Sequence, residues 1–437
     1  MRELKQGEAI PLEDGGEAIV RNKIGSGGQG VVYRAAFAGQ DYALKWYDPR
    51  KLKNPAAFRK NLADNIFGGP PSAAFLWPRK LTREKDGSFG YLMDLRPPEY
   101  ADFSAILNGQ ARFSGLPAVL DAALNITHSF RELHRRGLSY QDINDGNFFI
   151  NPQNGAVLIC DNDNVAPDNA VTGIGGKPGY MAPEVVLGAA PGTLSDYHSL
   201  AVVLFKLFMR HDPLMGRAFV DKVCITEAAE QELYGDKPVF IFDPDNASNR
   251  PVPGVHPNPL LLWPLYPQHL RDIFVQAFCP GMKNPDARPS DNDWIRELVR
   301  LRGEIIACSC GCGVFAGIAR ESVRDHRFRC PNCQSEISFP LALQVGKKEV
   351  YLFPGSRLYS CHTDADSDDF ATVTGKVVRN KKNPGIWAIQ NLSDQVWQAT
   401  SPKGTTDAVA KNAVVPIASD ITIEFGGASG RIVRNDQ

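Results

Sequence analysis

The sequence predicts an α+β protein with two lobes, followed by a short cysteine-rich module and a small all-β sandwich. Three observations lead to this prediction. Residues 15–95 contain short β-type runs between turns, residues 96–303 contain long segments with apolar residues at helical spacing, and the composition changes after Gly303. With 437 residues, the chain is also too long for one compact domain.

Composition and charge argue against nucleic acid as a partner and against a membrane location. The formal net charge of −1 argues against nucleic acid, whose recognition requires a basic surface. The amino-terminal residues are polar and lack the apolar core of a signal peptide. The longest apolar stretch, residues 200–209, contains Lys206 and is much shorter than the ~20 residues that cross a bilayer. We therefore expect a cytoplasmic protein without a membrane segment, whose nine cysteines are reduced thiols or metal ligands.

A glycine-rich segment near the amino terminus favours a phosphate-binding hairpin. Residues 24–34 read IGSGGQGVVYR, which contains the pattern G-x-G-x-x-G-x-V. A β-branched run follows the glycines, whereas a dinucleotide-binding turn requires a helix there. Glycines allow a backbone to approach phosphates closely, and Lys45 in the apolar run YALKWY is placed to pair with them.

A second segment, residues 138–164, carries the side chains that phosphoryl transfer requires. Asp142 and Asn147 are five positions apart, and Asp161 follows an apolar run. An aspartate can accept a hydroxyl proton, while an asparagine and a second aspartate hold Mg²⁺. Loops are rich in aspartate and asparagine because these residues stabilise turns, so this pattern alone is weak evidence for a catalytic site. Three further motifs follow it: PGYMAPE at 178–184, SDYHSLA at 195–201 and NPDARP at 284–289.

In order and spacing, these motifs resemble the eukaryotic-type protein kinase family over roughly residues 15–300. The resemblance implies a bilobal protein-kinase-like fold over residues 1–303 and an ATP- and Mg²⁺-dependent (or Mn²⁺-dependent) serine/threonine protein kinase. Asp142 would be the catalytic base, Lys45 would bind phosphates, and Asn147 and Asp161 would hold Mg²⁺. A Glu184–Arg288 pair and a brace from Asp196 to the catalytic loop are also implied. The nucleotide would lie against Gly25, Ser26, Gly27, Gly28, Gly30, Val32, Ala43, Lys45, Met93, Asp94, Leu95, Asn147 and Asp161.

The catalytic loop departs from the family pattern at two places. Gln141 stands where the family has an arginine that pairs with an activation-loop phosphate, so switching by such phosphorylation is not expected. Asn144 stands where serine/threonine kinases usually carry a lysine, and Lys177 stands where a threonine is usual. One hypothesis is that Lys177 supplies the missing positive charge beside Asp142 as a further catalytic residue. The alternative is that Lys177 points to solvent.

The metal-binding motif and the preceding helix depart as well. Asp-Phe-Gly is replaced by Asp161-Asn162-Asp163; we take Asp161 as the metal ligand, with Asp163 as a possible second carboxylate. The helix expected from Pro55 contains no glutamate for Lys45, so Asp64 or Asn61 would have to substitute. These losses favour an ATP-binding pseudokinase that acts as an assembly scaffold. The retained proton-, phosphate- and metal-handling residues favour a working kinase.

Residues 304–338 predict a zinc-ribbon-like module. Five cysteines lie between positions 308 and 333, and the Cys330–Cys333 turn resembles half of a ribbon. We take Cys308 and Cys310 as the other two ligands, with Cys312 as the spare. Four thiolates leave no open position, so Zn²⁺ would be structural. A redox cluster is the alternative.

Residues 339–437 predict an all-β sandwich. Short β-type runs occur at 350–353, 372–374, 376–378, 387–389, 414–417 and 421–425, with turn signals between them. Residues 389–393 and 423–426 are similar to forkhead-associated (FHA) domains, although that family's phosphothreonine-binding residues are not recognisable. The whole arrangement resembles a bacterial kinase group associated with tellurium-resistance-type phosphorylation systems. That resemblance implies a protein substrate and, as partners or substrates, a PP2C-type phosphatase and a von Willebrand A-domain protein.

Overall fold

The computed structural model describes residues 3–170, 176–308, 310–317, 327–330 and 332–434, except for the side chain of Arg327. The chain divides into two compact units. The first comprises Met1–Phe113, Asp121–Leu262 and Asp272–Trp294, and the second comprises Ser114–Leu120, Trp263–Arg271 and Ile295–Gln437. In the part of the chain so described, no helix has both the length and the apolarity needed to cross a membrane.

The small lobe of the first unit is a six-stranded antiparallel sheet. Its strands follow the spatial order β1-β2-β3-β4-β6-β5. They are β1 (Ala9–Pro11), β2 (Glu17–Ser26), β3 (Gly30–Phe37), β4 (Gln40–Tyr47), β5 (Lys80–Leu81) and β6 (Gly90–Asp94). The sheet begins before the expected boundary at residue 15, because Leu4, Ile10 and Leu12 are buried in its core.

One long helix, α1 (Pro55–Gly68), accompanies this sheet. Its start follows from local chemistry: the side chain of Asn54 accepts a hydrogen bond from the Ala57 N–H, and Pro55 occupies the first turn. The predicted start near Pro55 is confirmed. Leu62 and Asn65 are the buried residues of this helix.

The large lobe is mainly helical and is built around a buried helix, α5. The helices are α2 (Phe103–Leu107), α3 (Leu116–His134), α4 (Pro183–Val186), α5 (Thr193–Met209), α6 (Arg217–Val220), α7 (Glu227–Gln231), α8 (Pro257–Leu262), α9 (Gln268–Phe278), α10 (Pro280–Lys283) and α11 (Asp291–Gly303). Short strands carry the catalytic segments: β7 (Ala101–Asp102), β8 (Leu138–Ser139), β9 (Phe148–Ile150), β10 (Val157–Ile159) and β11 (Ala166–Pro167). β10, β9 and β7 form one small sheet, and β11 pairs with β8.

The second unit is rich in β-structure, as predicted for this part of the chain. Two short hairpins come first, β12 (Ile305–Ile306) with β13 (Val314–Phe315) and β14 (Arg327–Arg329) with β15 (Glu336–Ser338). Ten strands follow: β16 (Ala342–Val345), β17 (Lys348–Tyr351), β18 (Arg357–Tyr359), β19 (Val373–Arg379), β20 (Trp387–Asn391), β21 (Trp397–Thr400), β22 (Thr406–Val409), β23 (Val414–Pro416), β24 (Thr422–Glu424) and β25 (Ser429–Val433). They form sheets ordered β17-β16-β25-β24-β21-β22 and β18-β19-β20-β23, which share a core centred on Trp397.

Candidate active site

One cavity in the first unit brings most of the predicted site residues together. Its volume is about 1100 Å³, large enough for a nucleotide-sized ligand. Its lining includes Asp142 and every predicted nucleotide-contacting residue except Asn147. These are Gly25, Ser26, Gly27, Gly28, Gly30, Val32, Ala43, Lys45, Met93, Asp94, Leu95 and Asp161.

The glycine-rich hairpin forms one wall of this cavity. β2 and β3 pair antiparallel up to Ser26 and Val31, and the N–H of Gly27 donates to the Gly30 carbonyl at 2.9 Å. A Cβ on Gly30 would lie 2.2 Å from the Trp46 carbonyl oxygen, so only glycine allows β3 to approach β4 here. Added Cβ atoms on Gly27 and Gly28 would meet nothing within 4 Å, so the turn leaves open space beside it.

Asp142 is held by three asparagines of the surrounding loops. Asn144 Nδ2 donates to Asp142 Oδ1 at 2.9 Å, and Asn147 Nδ2 donates to the Asp142 carbonyl at 2.9 Å. Asn164 Nδ2 lies 3.4 Å from Asp142 Oδ2. Burial raises the pKa of Asp142 to about 6, with Asp161 acting in the same direction and the Asn144 hydrogen bond opposing it. A carboxylate with this pKa is suited to accept a proton near neutral pH.

A side chain of α5 holds the backbone of the catalytic loop at residues 140 and 141. Asp196 accepts hydrogen bonds from the N–H groups of Tyr140 at 2.6 Å and Gln141 at 3.0 Å, which confirms the expected brace. Gln141 has a φ of 69°, an unusual conformation for a non-glycine residue that these bonds help to hold. The predicted Glu184–Arg288 pair is also confirmed, with two hydrogen bonds of 2.7 Å.

The metal loop, residues 161–165, presents Asp161 to the cavity. The Asp161 side chain is 42% exposed, and its backbone adopts a left-handed conformation with φ 55°. The side-chain N–H₂ of Asn147 donates to the Asp142 carbonyl. The amide oxygen of Asn147 therefore remains able to bind a cation. Carboxylate and amide oxygens are the ligands that Mg²⁺ prefers, so these two side chains fit that ion.

Lys45 contacts the metal loop rather than α1. Its Nζ lies 2.8 and 2.9 Å from the two carboxylate oxygens of Asp163 and 3.2 Å from Asp161 Oδ1. Tyr47 donates to Asp163 Oδ2 at 2.6 Å, and Tyr91 Oη lies 3.4 Å from Asp163 Oδ1. Burial opposes the charged form of Lys45, but the two carboxylates outweigh it and raise the lysine pKa.

The expectation that Asp64 or Asn61 would partner Lys45 is wrong. Asp64 lies on the solvent side of α1 and pairs with Lys60 at 3.3 Å. Asn61 faces inward, but its amide donates to the Val165 carbonyl at 2.7 Å, as does that of Asn65 at 2.9 Å. The helical repeat brings positions 61 and 65 to one face and turns 64 away from it.

The hypothesis for Lys177 also changes. Its ammonium group pairs with Asp145 rather than Asp142, and the Lys177 side chain is half exposed. Asn144 itself contacts Asp142 directly, so the position that usually carries a lysine is filled by a neutral donor. The positive charge of Lys177 therefore lies beside Asp145, and not beside Asp142 as the first hypothesis expected.

Sequence reasoning did not identify two further residues of the loop. Asn162 is fully buried, and its amide donates to the carbonyls of Leu76 at 2.8 Å and Ile159 at 3.0 Å. Asn164 lines the cavity beside Asp142. Both follow Asp161 within three positions, but only the three-dimensional structure shows which polar groups they reach.

The cysteines of the second unit form a separate candidate metal centre. The Sγ atoms of Cys308, Cys310, Cys330 and Cys333 all lie within 4.8 Å of one another, and these are the four cysteines predicted as ligands. Cys312 lies 3.1 Å from Cys310 and 3.3 Å from Cys330, at the edge of this group. Four convergent thiols are the donor set of a structural zinc site. Pro331, within the predicted turn, lies outside the described residues.

Comparison with known protein families finds a match for the part of the chain that carries the catalytic and metal loops. Residues 99–241 match the sequence model of the family described as "Protein kinase domain". The chain has a protein-kinase-like fold in this region. Its matched segment includes the catalytic loop and the metal loop, while the glycine-rich hairpin and Lys45 precede it.

Several curated kinases are similar to this chain over part of their length. The serine/threonine-protein kinase mos of Xenopus laevis is 26% identical over 232 residues, which cover 48% of this chain and 62% of mos. Serine/threonine-protein kinase YPK3 of Saccharomyces cerevisiae is 31% identical over 108 residues, 22% of this chain and 20% of YPK3. Rhodopsin kinase GRK1 of Rattus norvegicus is 28% identical over 206 residues, 44% and 36% of the respective chains. Each match spans less than two thirds of the relative.

A search of solved structures also finds a bacterial kinase domain. The PknI kinase domain of Mycobacterium tuberculosis superimposes with a TM-score of 0.45 at 18% sequence identity, covering 68% of this chain and 98% of that domain.

Proposed function

We propose that this chain is an ATP- and Mg²⁺-dependent serine/threonine protein kinase. The observation that carries the proposal is one cavity in which a glycine-rich hairpin, Lys45, Asp142 and Asp161 meet. These groups are the ones that position phosphates, accept a proton and hold a metal ion in phosphoryl transfer. The serine/threonine class is supported by the similarity to the serine/threonine-protein kinases mos and YPK3.

Each of these side chains has a role that its surroundings support. The Lys45 ammonium attracts phosphate oxygens, and the glycine turn offers backbone N–H groups without steric hindrance. Asp142 accepts the proton of the attacking hydroxyl, since its carboxylate is charged above a pH of about 6. Asn147 and Asp161 would hold Mg²⁺, which neutralises charge on the transferred group when it is bound. Catalysis then depends mainly on positioning and electrostatics.

The test is transfer of labelled γ-phosphate from ATP to the protein itself and to a generic basic substrate, with Mg²⁺ or Mn²⁺. We expect Asp142→Asn to reduce transfer by roughly 10²- to 10⁴-fold. Asp394→Asn, at an exposed carboxylate of the second unit, is the matched control and should leave transfer unchanged. Label on serine or threonine after acid hydrolysis supports the proposed class, and label on tyrosine overturns it.

A scaffolding pseudokinase predicts a different result from the same protein. Well-folded wild type would bind MgATP, yet its label would equal that of Asp142→Asn. One of the two sequence arguments for this alternative, beside the altered Asp-Phe-Gly motif, was the absence of a helix glutamate for Lys45. Asp163 provides a carboxylate from the metal loop instead, so that argument loses its weight.

For the second unit we propose a structural Zn²⁺ held by Cys308, Cys310, Cys330 and Cys333. Purified protein should contain one equivalent of zinc, which Cys333→Ser should lose. Cys312→Ser is the matched control, because Cys312 lies at the edge of the four-thiol group. Zinc loss in Cys312→Ser with retention in Cys333→Ser would contradict this ligand set, and a wild type without zinc would exclude the site.

The β-sandwich is proposed to be a protein-interaction module in a bacterial phosphorylation system of the tellurium-resistance type. A PP2C-type phosphatase and a von Willebrand A-domain protein are its proposed partners, on the sequence resemblance alone. Incubating purified candidates with this kinase and labelled ATP tests whether either one accepts phosphate. Equal labelling of unrelated proteins would argue against this pairing.

A further inference from the structure

The metal loop is joined to the small lobe at three positions, each through a different partner. The Asn162 amide donates to the Leu76 carbonyl, the Asp163 carboxylate binds Lys45 on β4, and the Val165 carbonyl accepts from two asparagines of α1. These bonds are short, between 2.7 and 2.9 Å. The loop that presents Asp161 to the cavity is therefore also hydrogen-bonded to the small lobe at several points.

The two carboxylates beside Lys45 have different surroundings. The Asp163 side chain is 0% exposed, whereas that of Asp161 is 42% exposed and lines the cavity. Lys45, with a 10% exposed side chain, lies between them. Asp163 thus contacts the lysine from the protein side, and Asp161 contacts it from the side that a ligand would enter.

We propose that Asp163 is the positioning residue for Lys45, so that the metal loop, and not a carboxylate of helix α1, holds the phosphate-binding lysine in place. This inference rests on the proposed function and goes beyond it, because it assigns the lysine anchor to a residue that no motif indicates. Asp163 touches neither phosphate nor metal in this account. It acts through Lys45.

The contacts of Asp163 exclude the other role considered for it, that of a second metal ligand. Both of its oxygens are engaged: Oδ1 faces Lys45 and Tyr91, and Oδ2 faces Lys45 and Tyr47. A buried carboxylate with these partners has no exposed oxygen for an ion. Asp161 is then the carboxylate of the metal loop that remains accessible from the cavity.

Removing Asp163 has a specific consequence for metal binding. In Asp163→Asn the remaining carboxylate near the Lys45 ammonium is Asp161, already 3.2 Å away. A close ion pair there would neutralise the proposed metal ligand. We therefore expect a higher Mg²⁺ concentration for half-maximal ATP binding, in addition to weaker ATP binding.

The first test uses ligand-free protein and a double-mutant cycle of Lys45→Met and Asp163→Asn. Lys45→Met leaves the buried Asp163 carboxylate without its cation, and Asp163→Asn leaves Lys45 with only the more exposed Asp161; each change should lower the Tm by several degrees. The double variant should lose much less than the sum, because neither buried member of the Lys45–Asp163 pair is then left charged. Additive losses would overturn the pairing. If Asp163→Asn does not fold, Tyr47→Phe can replace it, because this change removes one hydrogen bond to Asp163. We expect Tyr47→Phe to weaken ATP binding more modestly. Unchanged ATP binding in Tyr47→Phe would count against the proposal.

The second test measures MgATP affinity across the same cycle. Asp163→Asn should weaken binding roughly 10-fold, the loss typical of a charge-assisted contact. In the Lys45→Met background the same change should add no further loss. Asp64→Asn, an exposed carboxylate of α1, is the control and should stay within about 2-fold of wild type.

These outcomes separate the inference from the function on which it rests. If Asp163→Asn weakens ATP binding equally with and without Lys45, Asp163 has only a structural role and the inference fails. If Lys45→Met leaves both ATP binding and phosphate transfer unchanged, the proposed function fails. A protein that binds ATP but transfers no phosphate still yields the full binding cycle.

Discussion

Two clusters of charge in the first unit have similar components and different surroundings. Where the lobes meet, Lys45 of the small lobe lies between Asp161 and Asp163 of the metal loop. In the large lobe, His134 lies between Asp196 at 3.1 Å and Asp291 at 2.7 Å. Each cluster places one cation between two carboxylates, but only the first borders the cavity.

The difference shows how burial separates a chemical role from a structural one. The His134 cluster is enclosed, with all three side chains at most 5% exposed. Burial lowers the pKa of His134, but the two carboxylates outweigh it and raise that pKa to about 10, so the imidazole is charged at neutral pH. Both ring nitrogens of His134 contact buried carboxylates, so the residue links α3 to α5 and α11. Lys45 keeps one side towards the cavity and is available to a ligand.

The largest expected effect comes from removing the cation of the large-lobe cluster. His134→Ala leaves two buried carboxylates facing each other, which we expect to lower the free energy of unfolding by about 3–5 kcal/mol. MgATP affinity of the folded fraction should stay within about 3-fold of wild type, because His134 is not among the residues that line the cavity. Urea unfolding and a nucleotide titration below the transition measure the two quantities.

His128→Ala provides the control for this change. His128 lies on the same helix, with its side chain 37% exposed. We expect its stability loss to be below about 1 kcal/mol. Equal losses in the two variants would mean that the buried cluster contributes no more than a surface residue, and the comparison would fail.

The next effect concerns the pH dependence of transfer. Because Asp142 must be ionised to accept a proton, kcat should rise as pH increases through about 6. The Asn144 hydrogen bond stabilises the ionised form, so Asn144→Ala should move this limb to higher pH, by up to about one pH unit. A limb at the same pH in both proteins would assign it to another group.

The smallest effect is expected at Lys177. Its ammonium pairs with Asp145 at a half-exposed position, where ion pairs contribute about 0.2–1 kcal/mol. Lys177→Ala should therefore reduce kcat by less than about 5-fold. A loss of 100-fold or more would restore the first hypothesis, in which Lys177 acts directly beside Asp142.

Local sequence signals predicted much of the fold. The helix expected from Pro55 begins there, and the long helices of residues 96–303 occur where apolar residues at helical spacing indicated helical structure. The sandwich was harder, and five of its strands, β16, β18, β21, β22 and β25, were not predicted individually. Residues 372–374 and 376–378 were expected to form two strands separated at Gly375, but residues 373–378 lie in the single strand β19.

The reason lies in packing that the local sequence does not encode. A Cβ on Gly375 would lie 2.9 Å from the Trp397 ring, so this glycine makes room for the core and does not mark a turn. The site shows the same limit. Motif spacing placed Lys45, Asp142 and Asp161, but the partner of Lys45 is 118 positions away and was not predicted. Which of several carboxylates pairs with a lysine that is distant in sequence depends on how the complete fold brings them together.

The most direct test of the central claim is a crystal structure with Mg²⁺ and a non-hydrolysable ATP analogue. We expect Lys45 Nζ to keep its hydrogen bonds to Asp163 while it contacts phosphate, with Asp161 and Asn147 on the ion. A structure in which Asp163 coordinates the ion, or in which Lys45 turns to a side chain of α1, would contradict the claim.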